Sequence, residues 1–221
     1  MAATDVVSIL DDNNGNVRKW GTQLLALADY STAMPSEFFD KTTNKPNALP
    51  DGFKILGYIS TDGMKISRSI DSSDVSAVQD LEPVRSDITS KTRTLQVTFL
   101  EMNAWVKAVA HGVPVAQWPD DKNNGFEYSD GAISDFPYYR LLVLMQDGTG
   151  VGAHYRVEAG YKAKVTNQGD LTHSRSDAEG EETTFTFYRD PAVNKSYYEG
   201  VRPVETEEVI HVRENGGKVV A

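Results

Sequence analysis

Gly148, Gly150 and Gly152, in the stretch DGTGVGAH (147–154), have the look of a loop that wraps a phosphate. Such a loop ends in G-K-[ST] and opens a helix whose first N–H groups complete the anion site. That ending is absent here and a long strand pattern follows, so the stretch is expected to be a hairpin turn. Asp120, Asn124 and Gly125 suggest a calcium loop, but Lys122 and Gly131 fall where oxygen ligands are needed, which leaves a solvated turn. The four histidines, His111, His154, His173 and His211, form no H-x-x-x-H or H-E-x-x-H pair on which a metal site could rest. There is no G-x-S-x-G elbow for a serine nucleophile. Carboxylates are plentiful, but a pair such as Asp71 with Asp74 is what any acidic chain offers, and no pattern separates an acid from a base. Asn194-Lys195-Ser196 matches a glycosylation sequon, which means little without secretion. Tyr197 and Tyr198 could stack on a sugar, although aromatics at a β edge are more often packing. No catalytic, metal or cofactor-binding residue emerges, and neither an enzyme nor a cofactor is expected.

The bulk composition narrows the classes further. A chain of 221 residues suits one domain with extensions, and 39% hydrophobic with 24% charged residues is ordinary globular composition. The net charge of −10 argues against a surface built to hold nucleic acid, because phosphate affinity needs clustered Lys and Arg. Such a surplus commonly serves solubility. In a conduit it would also keep DNA sliding rather than sticking. With no cysteine, disulfides, thiolate metal sites and cysteine nucleophiles are excluded. The start, MAATDVVSILDDNNGN, lacks the pattern of a secretory signal, and no apolar run approaches the ~20 residues of a membrane span. A soluble protein is expected.

The elements that must position any site come next. Met64, Ile66 and Ile70 alternate with polar residues, as do Leu95, Val97 and Phe99, giving two strands buried on one face. Between them residues 71–91 are long and polar, and a compact domain rarely keeps so long a connection without a use for it. Residues 21–35 contain Leu24, Leu25 and Leu27; propensity favours a helix, and only the family resemblance given below implies a strand instead. Residues 36–50 read as a loop. Met102, Trp105, Val106 and Val109 fall at i, i+3, i+4 and i+7 of a short helix, capped by Asn103 or Glu101 and stopped by Gly112 and Pro114. Lys107 and His111 lie in its later turns, where positive charge suits the dipole. Trp105 and Val109 are expected to pack it on a sheet, since so short a helix cannot stand alone. Residues 113–137 form a turn-rich connection, and 138–146 a buried strand. Residues 155–165 alternate without a break, a span of ~36 Å at ~3.3 Å per residue. That suits either a hairpin reaching beyond its own subunit or two strands broken at Gly160. Phe185 and Phe187 mark another strand. From residue 191 the charge is mixed and the end, NGGKVVA, is expected to be a mobile tail. Six or more strands and one helix give a mainly β fold, an antiparallel β-sandwich or barrel with a flanking α-helix and extended loops.

The order of pieces across residues 56–103 carries a resemblance. G-Y-I-S-x-D-G, a strand, D-x-S-D-V-x-A-x-Q-x-x-x-P-V-R, a threonine-rich strand and T-F-L-E-M-N together resemble the major tail tube proteins of long-tailed bacteriophages. The likeness extends from about residue 24 to 189. It implies an N-terminal arm over 1–20, a tail-tube β-sandwich over 21–190 and a C-terminal extension over 191–221. It also implies a structural virion protein, assembled in the host cytoplasm into hexameric rings that stack as the tail tube. Its partners would be further copies of itself, a tape-measure protein in the lumen, and tail terminator and distal tail proteins at the ends. Double-stranded DNA would pass through during ejection without being bound, and no membrane is involved. Candidate contacts between subunits or rings are Asp71, Asp74, Gln79, Val84, Arg85 and Asp87, with the hairpin over 147–165 and the N-terminal arm as further candidates. The alternative is a monomeric immunoglobulin-like or carbohydrate-binding β-sandwich, a virion decoration or adhesin, for which composition would look the same. One feature fits poorly with a uniformly acidic lumen: Arg156, Lys162 and Lys164 lie on the polar side of the most regular strand.

Overall fold

A computed structural model describes residues 12–129 and 135–204. Asp130, Gly131, His211, NGGKVVA and most of the expected N-terminal arm lie outside the described residues. Eight strands occur: β1 (Thr22–Asp29), β2 (Lys54–Ile55), β3 (Ile59–Ser76), β4 (Pro83–Phe99), β5 (Tyr138–Asp147), β6 (His154–Gln168), β7 (Glu181–Phe187) and β8 (Tyr197–Pro203). They form one sheet in the order β2-β1-β5-β6-β7-β4-β3, with β8 added on β6, and every pair is antiparallel. The expected mainly β architecture with one flanking α-helix, α1 (Ala104–Ala110), is therefore present.

β1 is a strand despite its leucines, because it pairs with β5 along its whole length, from Thr22 opposite Gln146 to Asp29 opposite Tyr139. The sheet is buried on both faces near its middle. One face meets α1 in a core that includes Leu25, Leu27, Tyr139, Leu141, Phe185, Val106 and Val109. The other is covered by residues 36–49, whose Phe38 and Phe39 pack on Leu142, Val157, Ala159 and Tyr161.

β6 corrects both sequence expectations for residues 155–165. The strand is continuous rather than broken at Gly160, and it lies inside its own sheet rather than reaching past it. Between the pairs Tyr139–Ala163 and Leu141–Gly160, β5 advances two residues and β6 three, so β6 carries a bulge. Tyr161 and Ala163 therefore face opposite cores although they are two apart. The bulge also marks a change of neighbour: residues 154–160 pair with β8 and residues 163–168 with β7. The stretch from residue 191, expected as a C-terminal extension, contains β8, which pairs with β6 in the main sheet.

Arg18, ahead of β1, and Val204, just after β8, both meet the end of the turn between β5 and β6. Val204 N–H donates to Ala153 O at 2.8 Å. Arg18 Nη2 lies 2.9 Å from His154 Nε2. Arginine only donates, so Nε2 accepts there and His154 Nδ1–H donates to Gly152 O at 2.9 Å. Gly148, Gly150 and Gly152 all have positive φ, which explains their spacing without any ligand.

Candidate assembly interface

β3 and β4 continue well past the rest of the sheet. β4 pairs with β7 only from Thr94 to Phe99, while its pairing with β3 runs on from Arg93 to Pro83. Residues 71–91, expected to be a polar loop, are instead the outer half of a β-hairpin. The polar sequence is compatible with strands because, among the described residues, almost nothing packs on either face. Thr89 is the extra residue where Asp71–Ser90 gives way to Ser72–Ile88, and its Oγ1 donates to Asp71 O at 3.1 Å.

The candidate contact residues divide between the two faces. Asp71 accepts a short hydrogen bond from Ser90 Oγ, and Arg85 clamps Asp87 through Nε at 2.7 Å and Nη2 at 3.1 Å. Asp71, Arg85 and Asp87 share one face, judged by the register of Asp71–Ser90, Val75–Arg85 and Ser73–Asp87. Asp74, opposite Ser86, is on the other; Val84 sits at a register shift and Gln79 in the turn. The outer half of the hairpin, residues 71–91, holds five carboxylates (Asp71, Asp74, Asp80, Glu82, Asp87) against two cations (Arg85, Lys91).

The aliphatic residues matter more than the charges, and the sequence reading passed over most of them. Ile70 continues the stripe begun by Met64 and Ile66, yet it is 59% exposed, and Ile88 on the same face is 71% exposed. Val75, Val84, Val78 and Leu81 are also exposed, the last two fully. Isolated exposed apolar residues are normal on any protein, whereas here six fall on one projecting hairpin. A signal was available: β-branched aliphatics recurring through an otherwise polar stretch.

β4 ends in the element that braces it. Asn103 Oδ1 accepts from Trp105 N and Val106 N, each at 3.0 Å, and its Nδ2 donates to Leu56 O at 2.7 Å. Glu101 instead accepts from Tyr58 N at 3.1 Å, and Gly112, with φ +65°, ends the helix as expected. Val109 is fully buried, whereas Trp105 is half-buried, its indole N–H donating to Pro119 O at 2.8 Å. Met102, expected on the packed face, is exposed. Lys107 lies in the last turn, as expected, and there it is buried and donates to Glu181 at 2.7 Å and Glu179 at 3.1 Å. Burial disfavours its charge, but the hydrogen bonds it donates to the two carboxylates prevail and raise its pKa above the usual lysine value. The ion triad ties α1 to β7.

Lys162 and Lys164 do not mark a lumen wall by themselves. The Lys162 ammonium lies 4.1 Å from the Tyr138 ring centroid, and Lys164 pairs with Asp135. Arg156 is held between buried Glu158 and Glu199. Among the described residues no three metal-ligating side chains gather, and no helix is long and apolar enough to cross a membrane.

No curated protein matches the chain. A chain in the cryo-EM structure of the anti-feeding prophage baseplate, 6-fold symmetrised, aligns over 83% of this chain and 94% of its own, with 11% identity and a TM-score of 0.39. The phage tail tube protein family matches residues 11–198. The chain belongs to the phage tail tube protein family.

Proposed function

We propose that the chain assembles into hexameric rings that stack into the tail tube, with the β3–β4 hairpin as a principal contact between copies. Membership of the family already makes it a structural protein of the virion tail rather than an enzyme. The observation that carries the finer reading is the hairpin itself: two strands extended beyond their own sheet, bearing six exposed aliphatic side chains. Burying such residues against another copy is favourable by ~25 cal/mol per Å² of apolar surface. A surface that repeats head to tail builds an open tube rather than a closed particle. Within it Asp71, Asp74, Gln79, Val84, Arg85 and Asp87 take the role of contact residues, and Trp105 and Val109 that of holding the helix brace. Tape-measure, terminator and distal tail proteins are the partners this reading adds. The net charge of −10 suits a conduit through which double-stranded DNA passes unbound.

Electron microscopy of the concentrated protein tests the reading. Rings or tubes are expected from the full chain, and a folded monomer from a variant in which residues 72–88 are replaced by a short turn. A full chain that stays monomeric at high concentration, alone and with its tail partners, would sink it.

A further inference from the structure

The hairpin tip has a chemistry of its own. Val78 and Leu81 are fully exposed, so within one subunit they touch almost nothing. Asp80 and Glu82 interleave with them, and no Lys or Arg occurs between residues 77 and 84. The tip is thus apolar and acidic, and its partner should be apolar and basic.

One recess among the described residues has that character. It lies between residues 36–41 and β8, with a volume of about 230 Å³. Phe38 and Tyr198 form a wall, stacked with centroids 4.3 Å apart. Arg202 lies over the Phe39 ring at 5.5 Å and donates to Asn44 Oδ1 at 3.1 Å. Lys195 lies 5.8 Å from the Tyr161 ring centroid. Both cations have neutral partners and form no ion pair among the described residues, in a chain where carboxylates outnumber cations by 32 to 22. Lys41, also on the rim, pairs with Glu37.

We propose that the hairpin tip of one copy seats in this recess of a second copy, Val78 and Leu81 against Phe38 and Tyr198, with Asp80 and Glu82 on Lys195 and Arg202. The inference rests on the stacked-ring reading and names the surface that receives the hairpin. Apolar anchors supply the affinity, and the opposite charges select the register and exclude tip-to-tip contact.

The chain has no cysteine, so introduced pairs report without background. Leu81→Cys and Ser36→Cys in one full-length chain should give, on mild oxidation of assembled tubes, a ladder of covalently linked copies, absent from the Ser36→Cys single variant. Lys195→Glu with Arg202→Glu should abolish tubes, and adding Asp80→Lys with Glu82→Lys should restore them. Tubes that form normally but yield no ladder overturn the inference while leaving the stacked-ring reading intact. So does a disulfide confined to a single chain, which would place the tip on its own subunit. A wild-type chain that never assembles removes both.

Discussion

Gly160 of β6 lies against the ring of Phe187: a Cβ at Gly160 would come within 2.5 Å of Phe187 Cε1 and 2.7 Å of Cδ1. The glycine is therefore a packing requirement in mid-strand rather than a break. Gly160→Ala should push the ring aside and destabilise by ~1–3 kcal/mol, the usual cost of overpacking. Urea denaturation checks this as a lower midpoint with unchanged slope. In a Phe187→Ala background the same substitution should cost much less, and equal costs in both backgrounds would refute the contact.

The helix brace gives a second expectation. Lys107→Met leaves Glu181, which is only 7% exposed, without its cation. The loss should be roughly 3 kcal/mol, at the low end for a broken buried pair because Glu179 keeps some access to water. Lys107→Met with Glu181→Leu should recover most of it, since a packed apolar pair replaces an unpaired charge. Thermal unfolding of the two variants separates these outcomes.

Acid should unfold the protein through identifiable carboxylates. The hydrogen bond from Arg140 holds the Asp190 carboxyl below the usual range, against the opposing effect of burial, with Ala192 N and Tyr30 Oη also donating. Glu179 is lowered by its hydrogen bond from Lys107. A depressed folded pKa contributes stability that is complete above the unfolded value, roughly 3.9 for Asp and 4.3 for Glu, and fades as pH falls through the folded one. Stability should therefore hold from neutrality to about pH 5 and then decline. Asp190→Asn should lower stability at pH 7 and make the acid decline shallower. A parallel curve would assign the decline elsewhere.

The exposed stripe on the hairpin separates folding from assembly. Ile70→Lys with Ile88→Lys should change stability by no more than ~0.5 kcal/mol per site, as for surface substitutions generally. Tube formation should nevertheless be lost, because two charges would be buried between copies. Melting temperature and sedimentation, read on the same sample, test both halves. Tubes formed by this variant would show that the stripe is not a contact.

What could be read from sequence follows from where each signal originates. The helix was legible because its information is local: Asn103 at its start, Gly112 at its end and Val106 and Val109 on one face. The ion pairs of Lys107 were not legible, because its partners, Glu179 and Glu181, lie more than 70 residues away and only the sheet brings them close. The alternation in β6 was legible, but the bulge before Ala163 was not. An extra residue reverses the faces without altering the sequence pattern, since both cores accept apolar side chains. The outer hairpin was taken for a loop because alternation normally records burial within one chain. There the strands have no core of their own to record.

The contacts of Arg18 with His154 and of Val204 with Ala153 bring both ends of the sheet to one corner. A peptide joining these two positions would need to cross only that corner. Residues 204 and 18 could therefore be bridged by a short linker, with new ends opened in the exposed bend at 175–177.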